Sequence, residues 1–381
     1  MGSGVIFPIF HSMNVDDFDF DLPDELIAQE PPPVRGGSRL LVLHRDTATT
    51  DGATEFTTFA QLGDYLRAGD LLVLNNTKVF PARLLGHRVP SGGSVECLLL
   101  SQLPTPQFPT PNVGVGALGV GSSEFWDALM HPGQKLKPGA RVLFERDGAR
   151  LHGEVMARHF QGRRTIRLWT DGETDIATAI ERIGHIPLPP YITRDDRPED
   201  RDRYQTVYAR ERGSIAAPTA GLHFTTGQLD ALAAGGVERT DITLHVGYGT
   251  FKPVRAERVE DHRVDPEPFT VSADTAAALT RARREGRRVI AVGTTTARAL
   301  ESLHIVDGTV EASSADTRLF IHPGHEFTLV NGLVTNFHLP RSSLLMLVAA
   351  FAGRERALQA YGEAVARGYR FYSYGDAMVI L

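Results

Sequence analysis

Arg288-Val289-Ile290-Ala291-Val292-Gly293-Thr294-Thr295-Thr296-Ala297-Arg298 is the stretch that decides the fold class. Its unbroken apolar run reads as a strand buried on both faces, Gly293 ends that strand, and hydroxyl-bearing residues lead into a helix over 296–303. A strand feeding directly into a helix is the repeating unit of an α/β layer fold. The same alternation extends outward. Residues 273–285 and 224–234 read as helices, 238–245 as a strand, 39–44 and 71–74 as apolar strands, and 59–66, 176–183 and 344–352 as helices.

Between residues 70 and 169 the pattern changes to short alternating strands punctuated by Gly and Pro, at 82–88, 94–100, 140–145, 151–158 and 165–168. Even spacing with turn signals is the mark of a small barrel or sandwich. Residues 103–121, rich in Pro and Gly and without apolar periodicity, read as a flexible loop insertion. The expected architecture is therefore an α/β main domain built from both chain ends, 13–69 and 170–381, with a small all-β barrel domain inserted at 70–169. Residues 1–12 read as a poorly ordered extension.

Bulk properties agree with this division. A chain of 381 residues exceeds what one core usually organises, and 42% hydrophobic with 23% charged residues is a globular composition. No apolar run approaches the roughly 20 residues of a membrane span, and no secretory signal is present. The single cysteine, Cys97, excludes a disulfide framework and a multi-cysteine zinc site, so a cytoplasmic location follows by default. A formal net charge of -6 argues against a nonspecific nucleic-acid coat. The nearly acid-free run of arginines over 281–288 is the one candidate surface for phosphate contacts.

Five segments carry the candidate chemistry. Thr294 and Thr295, with Arg298, sit where helix N–H groups and a strand's carboxyl end favour a ligand, although a plain N-cap would also use a threonine. Ala216-Ala217-Pro218-Thr219-Ala220-Gly221-Leu222-His223-Phe224 offers close backbone approach at Gly221 and a proton-transfer imidazole at His223. His245-Val246-Gly247-Tyr248-Gly249-Thr250-Phe251 repeats the style after a strand, with Gly247 and Gly249 flanking an aromatic ring. Thr335-Asn336-Phe337-His338-Leu339-Pro340 and the aromatic run over 369–378, with Tyr372 and Asp376, complete the set. His322-Pro323-Gly324-His325 has two imidazoles three apart, but Pro-Gly prevents a helical face and no cysteine or close carboxylate completes a site, so no metal is expected. The absence of a Gly-x-Ser-x-Gly elbow argues against a serine hydrolase.

Together these strings resemble one family, the S-adenosylmethionine:tRNA ribosyltransferase-isomerases of queuosine synthesis. The resemblance also rests on Phe20-Asp21-Leu22-Pro23, Leu74-Asn75-Asn76-Thr77-Lys78-Val79, Pro81-Ala82-Arg83-Leu84, Gly184-His185-Ile186-Pro187-Leu188-Pro189-Pro190-Tyr191 and Tyr204-Gln205-Thr206-Val207-Tyr208-Ala209. It implies transfer and isomerisation of the ribosyl part of S-adenosylmethionine onto 7-aminomethyl-7-deazaguanine at the tRNA wobble position. S-adenosylmethionine is then a substrate, no bound cofactor is expected, and the partner is tRNA, acted on by a monomer. His223, His245 or Asp376 is expected to serve as base. Asn336, His338 and Thr219 are expected to hold the nucleoside or relay protons, with Asn76, Arg83 and His185 as further walls. Where the family has Met-His two residues after its Glu-Asp-His, this chain has Val264-Asp265. Two other readings make different demands. A methyltransferase would want a Gly-rich loop after the first strand, and a noncatalytic RNA-binding module would want a dominant basic surface.

Overall fold

A computed structural model describes residues 13–45, 53–104, 123–172, 174–251 and 254–381. The 1–12 extension and nearly all of the 103–121 insertion lie outside the described residues. Two compact units emerge. The first comprises the chain up to Asn76, Pro218–Leu244 and Gly249–Leu381; the second comprises Thr77–Ala217 and His245–Tyr248.

The first unit is built on a nine-stranded mixed sheet. Its order is Ser313–Thr317, Glu267–Val271, Glu238–Leu244, Leu71–Asn75, Val289–Val292, Gly332–Asn336, Ala377–Ile380, Arg39–Leu43 and Thr54–Thr58. The four strands from Glu238–Leu244 to Gly332–Asn336 run parallel. Leu71–Asn75 is buried at every position, as befits a parallel strand covered on both faces. Helices Ala273–Arg284 and Thr294–Glu301 pack on these strands, and Ser343–Ala352 packs on Arg354–Ala366.

The second unit contains a closed six-stranded antiparallel barrel, ordered Arg163–Trp169, Glu124–His131, Ser94–Leu103, Arg83–Val89, Arg141–Arg146 and Ala149–Arg158. Helix Ile176–Ile183, whose aspartate N-cap Asp175 accepts from the Thr178 amide, turns Ile176, Ala179, Ile180 and Ile183 into the barrel core. An α/β domain with a small barrel is thus the fold.

The unit boundaries differ from the boundaries drawn at 70 and 169. The strand Leu71–Asn75 belongs to the large sheet because its continuous apolar run suits two covered faces, not the alternation of a barrel strand. Residues 170–217 fall in the second unit, where the apolar stripe of Ile176–Ile183 finds its partner. The strand Glu124–His131 was not anticipated, and the helix within 59–66 is of the 3-10 type, Phe59–Asp64. Among the described residues no helix is long and apolar enough to cross a membrane.

Sheet topology gathers the candidate loops of the first unit on one edge. The parallel strands deliver Asn75, Val292 and Asn336 at their carboxyl ends. Ala377–Ile380 runs antiparallel to Gly332–Asn336, with Ala377 opposite Asn336, so Asp376 enters from the same edge. Arg39–Leu43 runs parallel to Ala377–Ile380, with Leu40 opposite Ala377, which brings Ser38 there too. Ligands of α/β sheets bind at such an edge.

Candidate functional site

His223 closes the 3-10 turn Thr219–His223 and is 4% exposed. Its Nδ1 lies 2.7 Å from the Ser38 hydroxyl and its Nε2 lies 3.1 Å from Nδ2 of Asn336. That Asn336 nitrogen also donates to the Tyr372 carbonyl at 3.0 Å, which fixes the amide's orientation. Nε2 of His223 therefore accepts, and the ring proton resides on Nδ1, facing Ser38. Burial pushes the His223 pKa down to about 4 against the opposing pull of Asp376, so the ring is neutral at physiological pH. The remaining amide oxygen of Asn336 is buried with no hydrogen-bond partner in the protein. Tyr372 itself sits at φ 71°, a left-handed conformation that is costly for a non-glycine residue and that turns its carbonyl toward Asn336.

Asp376 is buried, and its carboxylate accepts from the Arg39 amide at 2.9 Å, the Arg39 guanidinium at 2.6 Å and the Arg370 amide at 2.8 Å. Donors on both oxygens occupy the carboxylate and hold the 369–376 turn. His338 is also buried; its Nε2 lies 3.0 Å from the Thr335 hydroxyl, its amide donates to the Tyr361 hydroxyl, and burial drops its pKa to about 3.

The three threonines divide their labour. The helix Thr294–Glu301 begins two residues earlier than the sequence suggests, because Gly293 takes φ 94° and occupies the N-cap position. Thr296 returns its hydroxyl to the Val292 carbonyl at 2.6 Å. Thr294 and Thr295 do not cap, and among the described residues their hydroxyls engage no hydrogen-bond partner. Beside them in sequence, Arg298 is 7% exposed and pairs with Glu267 at 2.5 Å, and its Nε donates to the Leu319 carbonyl. Glu267 also accepts from Thr250 at 2.9 Å. One terminal nitrogen of Arg298, Nη2, is buried without a partner. Buried polar groups are rarely left unsatisfied, so this nitrogen and the Asn336 oxygen stand out in the first unit. A Cβ at Gly249 would lie 2.6 Å from the exposed Asp265 carboxylate, which would have to move aside. Asn76 is tied down by the Thr243 hydroxyl at 2.7 Å, Gly221 is buried within its turn, and Thr219 stays partly exposed.

In the second unit His245 is held from two sides. The Thr77 hydroxyl lies 2.7 Å from its Nδ1, and the Gly213 backbone supports the ring face. The Ser214 hydroxyl fastens the following backbone by accepting from the Val246 amide at 2.9 Å, just ahead of Gly247. Partial burial lowers the His245 pKa, which keeps the imidazole neutral, while Nε2 has no hydrogen-bond partner among the described residues. Arg83 pairs with Glu96 at 2.7 Å and exchanges backbone hydrogen bonds with His185, whose Nδ1 lies 2.8 Å from Asp196.

Ser38, Thr77, Gly213 and Glu267 were not singled out by local sequence. Only Thr77 lay within a quoted string, and the others act through partners far along the chain. Three arginines of the run over 281–288 are committed to structure: Arg281 and Arg287 pair with Glu238, and Arg288 pairs with Asp70. Arg283 and Arg284 of the same run are exposed and have no carboxylate partner among the described residues.

Residues 15–380 match the family described as queuosine biosynthesis protein. An S-adenosylmethionine:tRNA ribosyltransferase-isomerase of Halothermothrix orenii is 48% identical over 369 residues, covering 97% of this chain and 100% of the relative. One of the same name from Nitratidesulfovibrio vulgaris is 50% identical over 367 residues, covering 95% and 96%. The crystal structure of an S-adenosylmethionine tRNA ribosyltransferase from Thermotoga maritima superposes with a TM-score of 0.50 at 36% identity, covering 96% of this chain and 100% of that one. With a match spanning almost its whole length, this chain belongs to the queuosine biosynthesis protein family.

Proposed function

We propose that the chain transfers and isomerises the ribosyl moiety of S-adenosylmethionine onto 7-aminomethyl-7-deazaguanine at the tRNA wobble position, releasing adenine and methionine and leaving epoxyqueuosine-tRNA. Full-length similarity to enzymes named for this class of reaction supports the reading. The substrate brings its own activation. Its sulfonium acidifies the neighbouring 5′ carbon and makes methionine a leaving group, so the protein has to provide a base, a proton for departing adenine, and positioning. We assign the base to His245. The observation behind this is that its imidazole is partly exposed, neutral, oriented through Nδ1 by Thr77, and open at Nε2. His223 has both ring nitrogens engaged, and Asp376 is saturated with donors. The unpartnered atoms of Asn336 and Arg298 and the hydroxyls of Thr294 and Thr295 are assigned to holding the nucleoside. The enzyme acts as a monomer in the cytoplasm, where its tRNA substrate resides. Mass spectrometry of a reaction with S-adenosylmethionine and the 7-aminomethyl-7-deazaguanine tRNA tests the proposal. Adenine and methionine in equal amounts support it, whereas S-adenosylhomocysteine would identify a methyltransferase.

A further inference from the structure

A groove of about 560 Å³ opens in the first unit between Glu260, His262 and Arg263 on one wall and Arg318, Phe320 and His322 on the other. Its walls are fixed by the fold. Residues 318–322 follow the strand Ser313–Thr317, and the alternate residues Arg318, Phe320 and His322 line the groove. Ile321 is buried, and the backbone of Leu319 is anchored by Arg298 from below at 2.8 Å. This leaves Arg318, Phe320 and His322 facing the groove. The opposite wall is pinned by the buried Val259, whose amide donates to the Met13 carbonyl.

Two properties define what the groove can hold. It is lined by π faces: the His262 and Phe320 rings meet edge-to-face at 4.9 Å, and Phe320 and His322 lie 5.2 Å apart. It also carries cations without counter-charges. Arg263 donates only to the carbonyls of Glu260 and His262, and among the described residues neither Arg263 nor Arg318 has a carboxylate within ion-pair distance. The one lining acid, Glu260, is engaged by the Met13 amide at 3.1 Å and by Arg258 at 3.7 Å. Elsewhere in this unit Arg281, Arg287 and Arg288 are paired with acids.

Stacking faces beside unpaired guanidinium groups are the chemistry of an unstacked, phosphate-bearing nucleotide. We propose that this groove binds one nucleotide of the RNA substrate, its base against Phe320 and the two imidazoles and its phosphates against Arg263 and Arg318. The proposal rests on the reading of tRNA as substrate. S-adenosylmethionine carries a single carboxylate and no phosphate, so it would engage at most one of the two arginines.

Binding of the 7-aminomethyl-7-deazaguanine tRNA to the full chain, measured across a series of salt concentrations, tests it. Replacing Arg263 and Arg318 together by alanine is expected to weaken tRNA binding about tenfold per arginine and to lower the slope of log affinity against log salt by roughly 1.4. Phe320→Leu is expected to weaken it about fivefold or more, with little change in the salt slope. Both arginines are exposed, so the double variant should fold. If it bound tRNA with wild-type affinity and slope while wild-type enzyme still released adenine and methionine, the groove assignment would fall and the function would stand. Weakened S-adenosylmethionine binding with intact tRNA binding would also overturn it. A wild-type chain that neither bound tRNA nor released adenine would instead refute the function itself.

Discussion

Gly213 backs the imidazole of His245 so closely that a Cβ at that position would lie 2.8 Å from Cε1 and 2.9 Å from Nε2. With the Thr77 hydroxyl at Nδ1, the ring is held on one face and at one nitrogen. Gly213→Ala is therefore expected to displace the ring and cut turnover sharply, while costing about 1–3 kcal/mol of stability, as overpacking typically does. Kinetics beside urea denaturation separates the two effects. An alanine variant with wild-type turnover would remove the ring's position from the account.

His245→Ala is expected to lower kcat by about 10²–10⁴-fold, the range of a lost general base, and Thr77→Val by less because only orientation is lost. A base has to be neutral to act, and burial lowers the His245 pKa. The rate of wild-type enzyme should thus stay flat from neutral pH down through about 6.5, the ordinary imidazole value, and fall only in more acidic buffer. A rate that instead fell on raising the pH through neutrality would contradict the assignment.

Buried His223 and His338 tie stability to acidity. Burial places their pKa values at about 4 and about 3, below the ordinary imidazole value near 6.5, so the unfolded chain takes up protons first as pH falls. Stability contributed by the neutral rings is present in full above pH 6.5 and is lost progressively toward their folded values. Between pH 6.5 and 5 the loss is expected to be about 2 kcal/mol per histidine. Urea midpoints at the two pH values measure it, and His223→Gln should remove its share. A pH-independent midpoint over that interval would rule out neutral burial.

Glu267 and Arg298 pair at 2.5 Å with both side chains nearly excluded from solvent. Glu267→Ala strands a buried guanidinium and should cost about 3–5 kcal/mol, whereas exchanging both partners for apolar residues of similar size should cost less. A denaturant series on the single and double variants decides between these outcomes. Equal losses from both would mean that pairing is irrelevant.

Where the sequence spoke locally it spoke well. The apolar run 289–292 with Gly293 gave the strand and its turn into a helix, and the alternation around Cys97 and Leu151 gave barrel strands. The strand Glu124–His131 was hidden because it follows the Pro- and Gly-rich insertion and carries Asp127 and a Trp in its pattern. Long-range pairing was illegible for a different reason. Nothing near Asp376 announces Arg39, more than 300 positions away, and nothing in the 281–288 run announces Glu238 and Asp70 as its counter-charges. A residue type can suggest a base or a phosphate contact, but the partners that the fold brings to it decide whether it is available.

The most direct measurement uses S-adenosylmethionine carrying two deuterons at the 5′ carbon, with adenine release and the mass of the modified nucleoside followed together. If the sulfonium-acidified carbon gives a proton to His245, wild-type enzyme should release adenine and yield a nucleoside that has lost one of the two deuterons. His245→Ala should suppress both. Retention of both deuterons in the product, or wild-type rates of adenine release from His245→Ala, would contradict the account.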